Sequence, residues 1–246
     1  MIKINKDLKV IPVSLNKEIT QRKREELIAH GGYINEGKYN DWYKKPDVKA
    51  ALIAIYHYKC AFCEQKVEQF QVEHFRPKSI YYWLAYSWDN LLLACPTCNV
   101  HKKAHFEILD KKVKSDNIDF DEIHGLAVSY NKIEQNLFAH PEQEEEIQSK
   151  LIFDFGKGKI NSKDKKVAYT IEKCQLNREF LSIGRAEIFK EFVEKITKQK
   201  RLIQLKVRSK ETLKDVIQDF IDGAENPKKE FLAFKNGILE SMKNRA

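Results

Sequence analysis

The sequence predicts an α+β protein that is mostly helical and has a small zinc-stabilised core of two strands and one helix near its centre. Apolar residues recur at helical spacing towards the end of the chain, as in Phe189, Phe192, Val193 and Ile196. This periodicity is absent between about residues 58 and 107, where cysteine, histidine, asparagine and aromatic residues are dense. Helical additions around a segment rich in metal-binding side chains indicate a metal-stabilised core.

The chain divides into three predicted regions. These are an N-terminal arm and helix at 1–46, the core at 47–107, and a mixed, then helical, C-terminal region at 108–246. Within the core, the residue pattern predicts strands at Val67–Glu73 and Asn90–Ala94. A helix can begin at Thr97 and continue to Phe106. The core therefore has the order cysteine pair, strand, loop, strand, cysteine pair and helix.

Composition restricts the class and the compartment of the protein. With 42% hydrophobic and 33% charged residues, the 246-residue chain has the balance of a soluble globular protein. No apolar run approaches the roughly 18 residues that a membrane span needs, and the first lysines are not followed by the apolar segment of a signal peptide. We therefore expect a cytoplasmic protein without membrane contact. The net charge of +8 is compatible with a polyanionic partner.

Four of the five cysteines form two Cys-x-x-Cys pairs, Cys60 with Cys63 and Cys95 with Cys98. Disulfides are rare in a reducing compartment, where such pairs are typical of metal sites. Four thiolates complete the closed tetrahedral shell of structural zinc, which leaves no position for a substrate. We therefore expect these cysteines to bind one structural Zn²⁺ that holds the two strands and the helix together.

The segment between the two cysteine pairs, together with the residues directly after the second pair, contains side chains suited to phosphodiester hydrolysis. The attacking water must lose a proton, and His74 suits that task because the pKa of histidine lies near neutrality. Glu73 offers a carboxylate and Asn99 a carbonyl oxygen, which are ligands for a hard divalent cation. The amide of Asn90 can bind the backbone of the loop that begins at Phe75, and so fix His74 in place.

These side chains resemble the signature of the HNH nucleases, in the subtype whose last histidine is replaced by asparagine. The resemblance implies a ββα-metal core in which His74 is the general base and Asn90 orients it. It also implies that Glu73 and Asn99 bind one catalytic Mg²⁺ or Mn²⁺. Two features depart from the common pattern, because Glu73 stands where aspartate is more frequent and His101 is a competing ligand.

Longer stretches are similar to one HNH family, the PtuB subunit of Septu anti-phage systems and of related retron cassettes. The similar stretches are Cys60-x-Phe-Cys-Glu64, Glu73-His-Phe-Arg-Pro-Lys-Ser79, Trp88-Asp-Asn-Leu-Leu-Leu-Ala-Cys-Pro-Thr-Cys-Asn99 and Leu176-Asn-Arg178. The similarity is specific over about residues 58–105 and loose at both ends. This family implies a role in defence and an ATPase partner, PtuA.

Basic side chains near His74 are candidates for contact with nucleic-acid phosphates, with solvated surface charges as the alternative. They are Arg76, Lys78 and Lys102. The aromatic residues between Tyr81 and Trp88 can stack on bases or cover the small core, and we favour the second role. The basic run from Lys195 to Lys210 has helical spacing and is expected to be a solvated face, with nucleic-acid contact as the alternative.

The function that the sequence predicts is endonucleolytic cleavage of phosphodiester bonds in nucleic acid, with DNA as the expected substrate. The resemblance places this activity in a Septu-type defence complex. Two alternatives stay open: an RNA- or tRNA-cleaving nuclease would use the same chemistry, and an inactive zinc-stabilised adaptor would keep the cysteines. The joint presence of Glu73, His74, Asn90 and Asn99 favours an active enzyme.

Overall fold

A computed structural model describes residues 1, 3–116, 118–143 and 146–243. Its helices are α1 (Glu18–His30), α2 (Gly37–Asn40), α3 (Pro46–Tyr56), α4 (Pro96–Lys102), α5 (Leu126–Glu134), α6 (Lys165–Lys173), α7 (Glu179–Gln204), α8 (Glu211–Glu225) and α9 (Leu232–Lys243). Its strands are β1 (Gln71–His74), β2 (Leu91–Ala94), β3 (Ile152–Asp154) and β4 (Lys159–Asn161). Helices account for 49% of the structure, which confirms the predicted mostly helical α+β class.

The central core has the predicted order of two strands followed by a helix. Strands β1 and β2 pair antiparallel, with Glu73 opposite Leu92 and His74 opposite Leu91. Every residue of β2 is buried, because its apolar side chains meet protein on both faces of the strand. Helix α4 starts directly after β2 with Pro96 in its first turn, a position where the missing N–H of proline costs nothing.

Two predicted boundaries in the core are wrong by a few residues. The first strand begins at Gln71 rather than Val67, because the preceding chain folds back on the first cysteine pair through a bridge between Lys59 and Lys66. Helix α4 ends at Lys102 rather than Phe106, because Lys103 adopts a φ of 46° and turns the chain out of the helix.

The loop between β1 and β2 is packed into the protein rather than exposed. Tyr81, Trp83, Tyr86 and Trp88 are each at most 2% exposed. This confirms that the aromatic residues cover the small core, since buried rings offer no face to an incoming base. The ring of Trp88 also contacts the ammonium group of Lys6 from the N-terminal arm, 3.9 Å from the ring centroid.

Both ends of the chain pack on the core. Helix α1 contacts the central loop, where the buried guanidinium of Arg24 donates to the carbonyl oxygen of Trp83 over 3.2 Å. Helices α7, α8 and α9 contact one another in the C-terminal region, and Phe192 of α7 stacks on Phe220 of α8 with ring centroids 3.9 Å apart. The buried side chains of all three predicted regions form one cluster, and the proposed region boundaries stay a prediction.

No helix in the described part of the chain has the length and apolarity needed to cross a membrane.

Candidate active site and metal centre

The two cysteine pairs converge on one point beside the β1–β2 hairpin. All four cysteines are buried as free thiols, and their sulfur atoms lie within 4.8 Å of one another. The first pair is held by a backbone hydrogen bond of 2.8 Å from Ala61 to Leu93 in β2. The second pair lies at the start of α4, where the sulfur of Cys95 accepts from the backbone N–H of Cys98 over 3.3 Å.

The sulfur geometry fits a tetrahedral metal site. Zinc–sulfur bonds of about 2.3 Å place tetrahedral sulfurs about 3.8 Å apart, and the sulfurs of Cys63 and Cys95 are 3.9 Å apart. Four thiolates this close repel one another strongly unless a cation lies between them. The four cysteines could therefore bind zinc, as the sequence indicated.

A residue from the C-terminal region contacts the same sulfurs. The guanidinium of Arg178 donates to the sulfur of Cys98 over 3.4 Å and lies 3.9 Å from that of Cys95. Burial tends to lower the pKa of Arg178, but the charge and hydrogen bond of Cys98 outweigh it and raise the pKa. This positive group would offset the excess negative charge of four thiolates around one divalent ion.

His74 lies at the end of β1 in a defined orientation. Its Nε2 atom is 3.0 Å from the carbonyl oxygen of Ala85, and its ring meets the edge of Tyr43 with centroids 4.5 Å apart. Because a carbonyl oxygen only accepts hydrogen bonds, Nε2 donates and Nδ1 is left as an acceptor. Burial, with the nearby charge of Lys78, lowers the pKa of His74 to about 3, so the ring is neutral. In this tautomer Nδ1 can accept a proton, but the low pKa makes the buried ring a weaker base than the histidine with a pKa near neutrality that the sequence predicted.

Asn90 connects the two ends of the loop that holds His74. Its side-chain oxygen accepts from the backbone N–H of Arg76 over 2.7 Å, and its side-chain nitrogen donates to the carbonyl oxygens of Arg76 and Leu84. Leu84 precedes Ala85, whose carbonyl group receives the hydrogen bond from His74. Asn90 is therefore placed to fix the orientation of His74 through the loop backbone, and its catalytic role stays a proposal.

Glu73 is held by a buried lysine. The ammonium group of Lys102 in α4 donates to the Glu73 carboxylate over 2.9 Å and to the carbonyl oxygen of His74 over 2.7 Å. Burial raises the pKa of Glu73, and the charge of Lys102 partly offsets this effect. Glu73 is 8% exposed, so protein encloses most but not all of the residue.

Asn99 lies on the same side of the core as Glu73. Its side-chain nitrogen donates to the side-chain oxygen of Gln71, and Gln71 and Glu73 share one face of β1 because strand residues alternate. This hydrogen bond uses the side-chain nitrogen of Asn99 and not its carbonyl oxygen, and a role of that oxygen as a metal ligand stays a prediction. His101 is two positions further along α4, so it points about 200° around the helix from Asn99. The helix geometry therefore favours Asn99 over His101 as a ligand beside Glu73.

Two of the three predicted phosphate contacts need correction. Arg76 and Lys102 are both 0% exposed, so neither can reach a phosphate at the surface. Arg76 instead pairs with Glu134 of α5 and donates to Asn131 and to the carbonyl oxygen of Ala127. Both residues satisfy charges and carbonyl groups inside the protein, where an unpaired charge would be very costly.

Lys78, the third predicted contact, is half-buried at the edge of the site. Its ammonium group lies 3.5 Å from the ring centroid of Tyr33 and 3.4 Å from the side-chain oxygen of Asn40. Burial, with the charge of Lys44, lowers the pKa of Lys78 to about 8. It remains a candidate for phosphate contact.

Three features of this site have weak signals in the sequence. The carbonyl group of Ala85 holds His74 through backbone, which no residue type reveals. Tyr43 lies in the N-terminal region, far from the core in the chain. The sequence shows Lys102 only as a charge, although its spacing of three residues from Asn99 is consistent with both side chains lying against β1.

Comparison with known proteins agrees with this geometry. A family model described as HNH endonuclease matches residues 60–105, which include both cysteine pairs and the four candidate catalytic residues. A Septu protein PtuB of Bacillus mycoides (strain KBAB4) is 30% identical over 166 residues, covering 61% of this chain and 53% of that protein. A Septu protein PtuB of Bacillus thuringiensis is 39% identical over 70 residues, covering 27% of each protein.

The family model and the two relatives match different lengths of the chain. The chain aligns with about half the length of the first relative and about a quarter of the second. The alignment of 166 residues nevertheless extends well beyond the residues of the family model. The resemblance drawn from the motifs is thereby confirmed. Residues 60–105 match the HNH endonuclease family model, and the chain is similar over more than half its length to a Septu protein named PtuB.

Proposed function

We propose that this chain is a metal-dependent endonuclease that hydrolyses phosphodiester bonds in DNA. The observation that supports this most directly is the orientation of His74, whose Nε2 donates to the carbonyl oxygen of Ala85 and so leaves Nδ1 as the acceptor. In this proposal Nδ1 takes the proton of the attacking water, and the hydrogen bond to Ala85 keeps the ring in position. Asn90 maintains the loop backbone that supplies this hydrogen bond.

The residues around His74 fit one hard divalent cation. Glu73 and Asn99 would hold Mg²⁺ or Mn²⁺ through oxygen atoms. When bound, such an ion supplies positive charge that stabilises the phosphate and the departing oxygen. Lys102 holds the carboxylate of Glu73 in place from the protein side. We also propose that the four cysteines bind one structural Zn²⁺ that keeps β1, β2 and α4 together.

Nicking of supercoiled plasmid in a titration with Mg²⁺ and Mn²⁺ tests the metal ligands. We expect Asn99→Ala to require a higher metal concentration or to lose activity, because it removes an oxygen ligand. His101→Ala should keep most of its activity, because position 101 lies about 200° around α4 from Asn99. Glu73→Gln is more informative than alanine, because an amide oxygen can still accept from Lys102 while the charge is lost. Equal loss in the Asn99 and His101 variants would contradict this ligand set.

The same assay distinguishes the alternatives. A zinc-containing chain that binds nucleic acid but does not cleave it at any metal concentration would be an adaptor. A chain that cleaves structured RNA and leaves plasmid intact would be a ribonuclease with the same active-site residues.

We further propose that the chain acts in a Septu-type defence complex with an ATPase subunit resembling PtuA. The support is the similarity to proteins named Septu protein PtuB. We expect the chain to co-purify with the ATPase from its native gene neighbourhood, and to be weakly active alone. A chain that runs as a monomer in the presence of that ATPase and cleaves DNA at its full rate would contradict this proposal.

A further inference from the structure

Near His74 lies a group of four lysines, three from the N-terminal region and one from the loop after β1. We call it the lysine surface, and it consists of Lys23, Lys44, Lys45 and Lys78. Shared aromatic rings connect its members. Lys23 and Lys45 lie 5.8 Å and 4.4 Å from the ring centroid of Trp42. Lys44 and Lys78 lie 5.2 Å and 5.8 Å from that of Tyr43.

The lysine surface reaches the candidate general base through Tyr43. The ring of Tyr43 meets the edge of His74, with centroids 4.5 Å apart. Lys44 follows Tyr43 directly in the chain, and the charges of Lys44 and Lys78 both act on His74. A phosphate bound by these lysines would therefore lie close to the atom proposed to activate water.

A polar contact network holds the part of the surface nearest His74. The side-chain oxygen of Asn40 accepts from the hydroxyl groups of Tyr33 and Tyr43, over 2.9 Å and 3.4 Å. The ammonium group of Lys78 is 3.4 Å from the same oxygen. The ammonium group also lies over the ring of Tyr33, 3.5 Å from its centroid. Lys78 is therefore positioned before any ligand arrives, which lowers the entropic cost of binding.

The lysines of this surface keep their positive charge available. Within the described part of the chain, none of the four makes an ion pair with a carboxylate. Nearby acidic groups have other partners, since Glu26 accepts from the hydroxyl group of Tyr39 and Glu36 pairs with Lys38 over 3.5 Å. Asp41 is exposed in the same segment and reduces the local positive charge without cancelling it.

We propose that the lysine surface binds the phosphate backbone of duplex DNA and guides it to His74. The aromatic rings favour a duplex over an unpaired strand. Tyr39 and Tyr43 are only 4% and 5% exposed. The rings of Trp42 and Tyr33 are partly buried, and the ammonium groups of Lys45 and Lys78 lie over them, 4.4 Å and 3.5 Å from the ring centroids. These rings therefore offer little open surface on which unpaired bases could stack. Ammonium groups instead match phosphates of either strand without regard to sequence. This inference rests on the proposed endonuclease function.

A binding experiment tests whether the lysine surface contacts DNA. A labelled 25-base-pair DNA duplex is titrated with the full-length His74→Ala protein, and fluorescence anisotropy is measured between 50 and 200 mM NaCl. The triple variant Lys23→Gln, Lys44→Gln, Lys45→Gln should bind at least about tenfold more weakly. The slope of log K against log salt should become shallower by about 0.9 for each phosphate that these lysines no longer neutralise. Lys78 is kept in this variant because its half-buried position makes its removal a risk to folding.

Two matched triple variants control the experiment. Replacement of the same three lysines by arginine keeps the charge and should keep the salt slope. Lys195→Gln, Lys198→Gln, Lys200→Gln removes the same charge from the exposed face of α7 and should leave both affinity and slope unchanged. Thermal melting of each variant verifies that the surface changes leave the fold intact.

The proposal is overturned if the glutamine variant keeps the affinity and slope of its parent, or if the α7 control is weakened as much. It is also overturned if single-stranded DNA or duplex RNA binds through these lysines more tightly than duplex DNA.

Failure of this proposal is distinct from failure of the endonuclease proposal. A chain that nicks plasmid but binds DNA independently of these lysines would refute the lysine surface alone. A chain that binds through them and never nicks would refute the endonuclease.

Discussion

His74→Ala is expected to reduce plasmid nicking by roughly 10²-fold or more, the scale typical of a lost acid–base group. The substitution removes Nδ1, the only free acceptor on the ring, and also the hydrogen bond from Nε2 to Ala85. The cysteines, Glu73 and Asn99 are unchanged, so zinc content and DNA affinity should remain close to those of the unmodified chain. Initial nicking rates at saturating Mg²⁺, measured beside zinc content and anisotropy, check this prediction.

A matched control distinguishes a chemical role from a packing role at this position. His101→Ala removes a histidine 27 positions away in sequence from the candidate base, on the flank of α4 opposite Asn99, and should leave the rate near the unmodified value. Loss of the ring of His74 also removes an edge contact with Tyr43, so the melting temperature is measured for both variants. If His74→Ala nicks as fast as the unmodified chain while folded, the mechanism is wrong.

Cys60→Ser is expected to eliminate tightly bound zinc and to destabilise the whole core. Serine is a poor zinc ligand, and three thiolates leave the tetrahedral shell incomplete. The shell joins the turn before β1 to the end of β2 and the start of α4, so its loss removes a connection between three segments. We expect a loss of several kcal/mol and a fall in melting temperature of at least about 10 °C for a chain of this size.

Elemental analysis of zinc per chain, together with thermal melting followed by circular dichroism, measures both effects. Cys174→Ala is the matched control, because Cys174 is buried but lies outside the four-cysteine group. That variant should keep one zinc per chain. Folded Cys60→Ser protein with a full equivalent of zinc, or folded unmodified protein with none, would refute the proposed metal centre.

Local signals in the sequence account for most of the core. The two cysteine pairs indicated a metal site because two thiolates from each tight turn can meet at one ion, and their sulfurs do converge. The run Leu91–Leu93 indicated a strand, because continuous apolar residues are typical of a strand covered on both faces. The boundaries of the first strand and of α4 were less accurate, since they depend on folding of the chain around the cysteines and on one residue with positive φ.

The sequence predicted which charged side chains reach the surface less well than it predicted the chemical roles of the core residues. Arg76 and Lys102 have the residue types expected of phosphate contacts, and their positions beside His74 favoured that role. Their actual partners, Glu134 and Glu73, lie 58 and 29 residues away in the chain. No local pattern identifies such a partner, because ion pairing in the interior depends on which elements pack together.

The sequence by itself determined the candidate chemistry of this protein. The four cysteines, Glu73, His74, Asn90 and Asn99 are recognisable because metal binding and proton transfer require particular residue types at short, fixed spacings. Only the tertiary structure decided which nitrogen of His74 is free and which basic residues reach the surface. It also brought Tyr43 and three of the four lysines of the lysine surface beside the core from a region more than 10 residues upstream of the cysteines. The physical reason is that these properties depend on parts of the chain that are distant in sequence. A backbone carbonyl group fixes the tautomer of His74, and the packing of helices and loops decides which side chains are buried and which lie close together. The spacing of residues within one segment does not encode either effect.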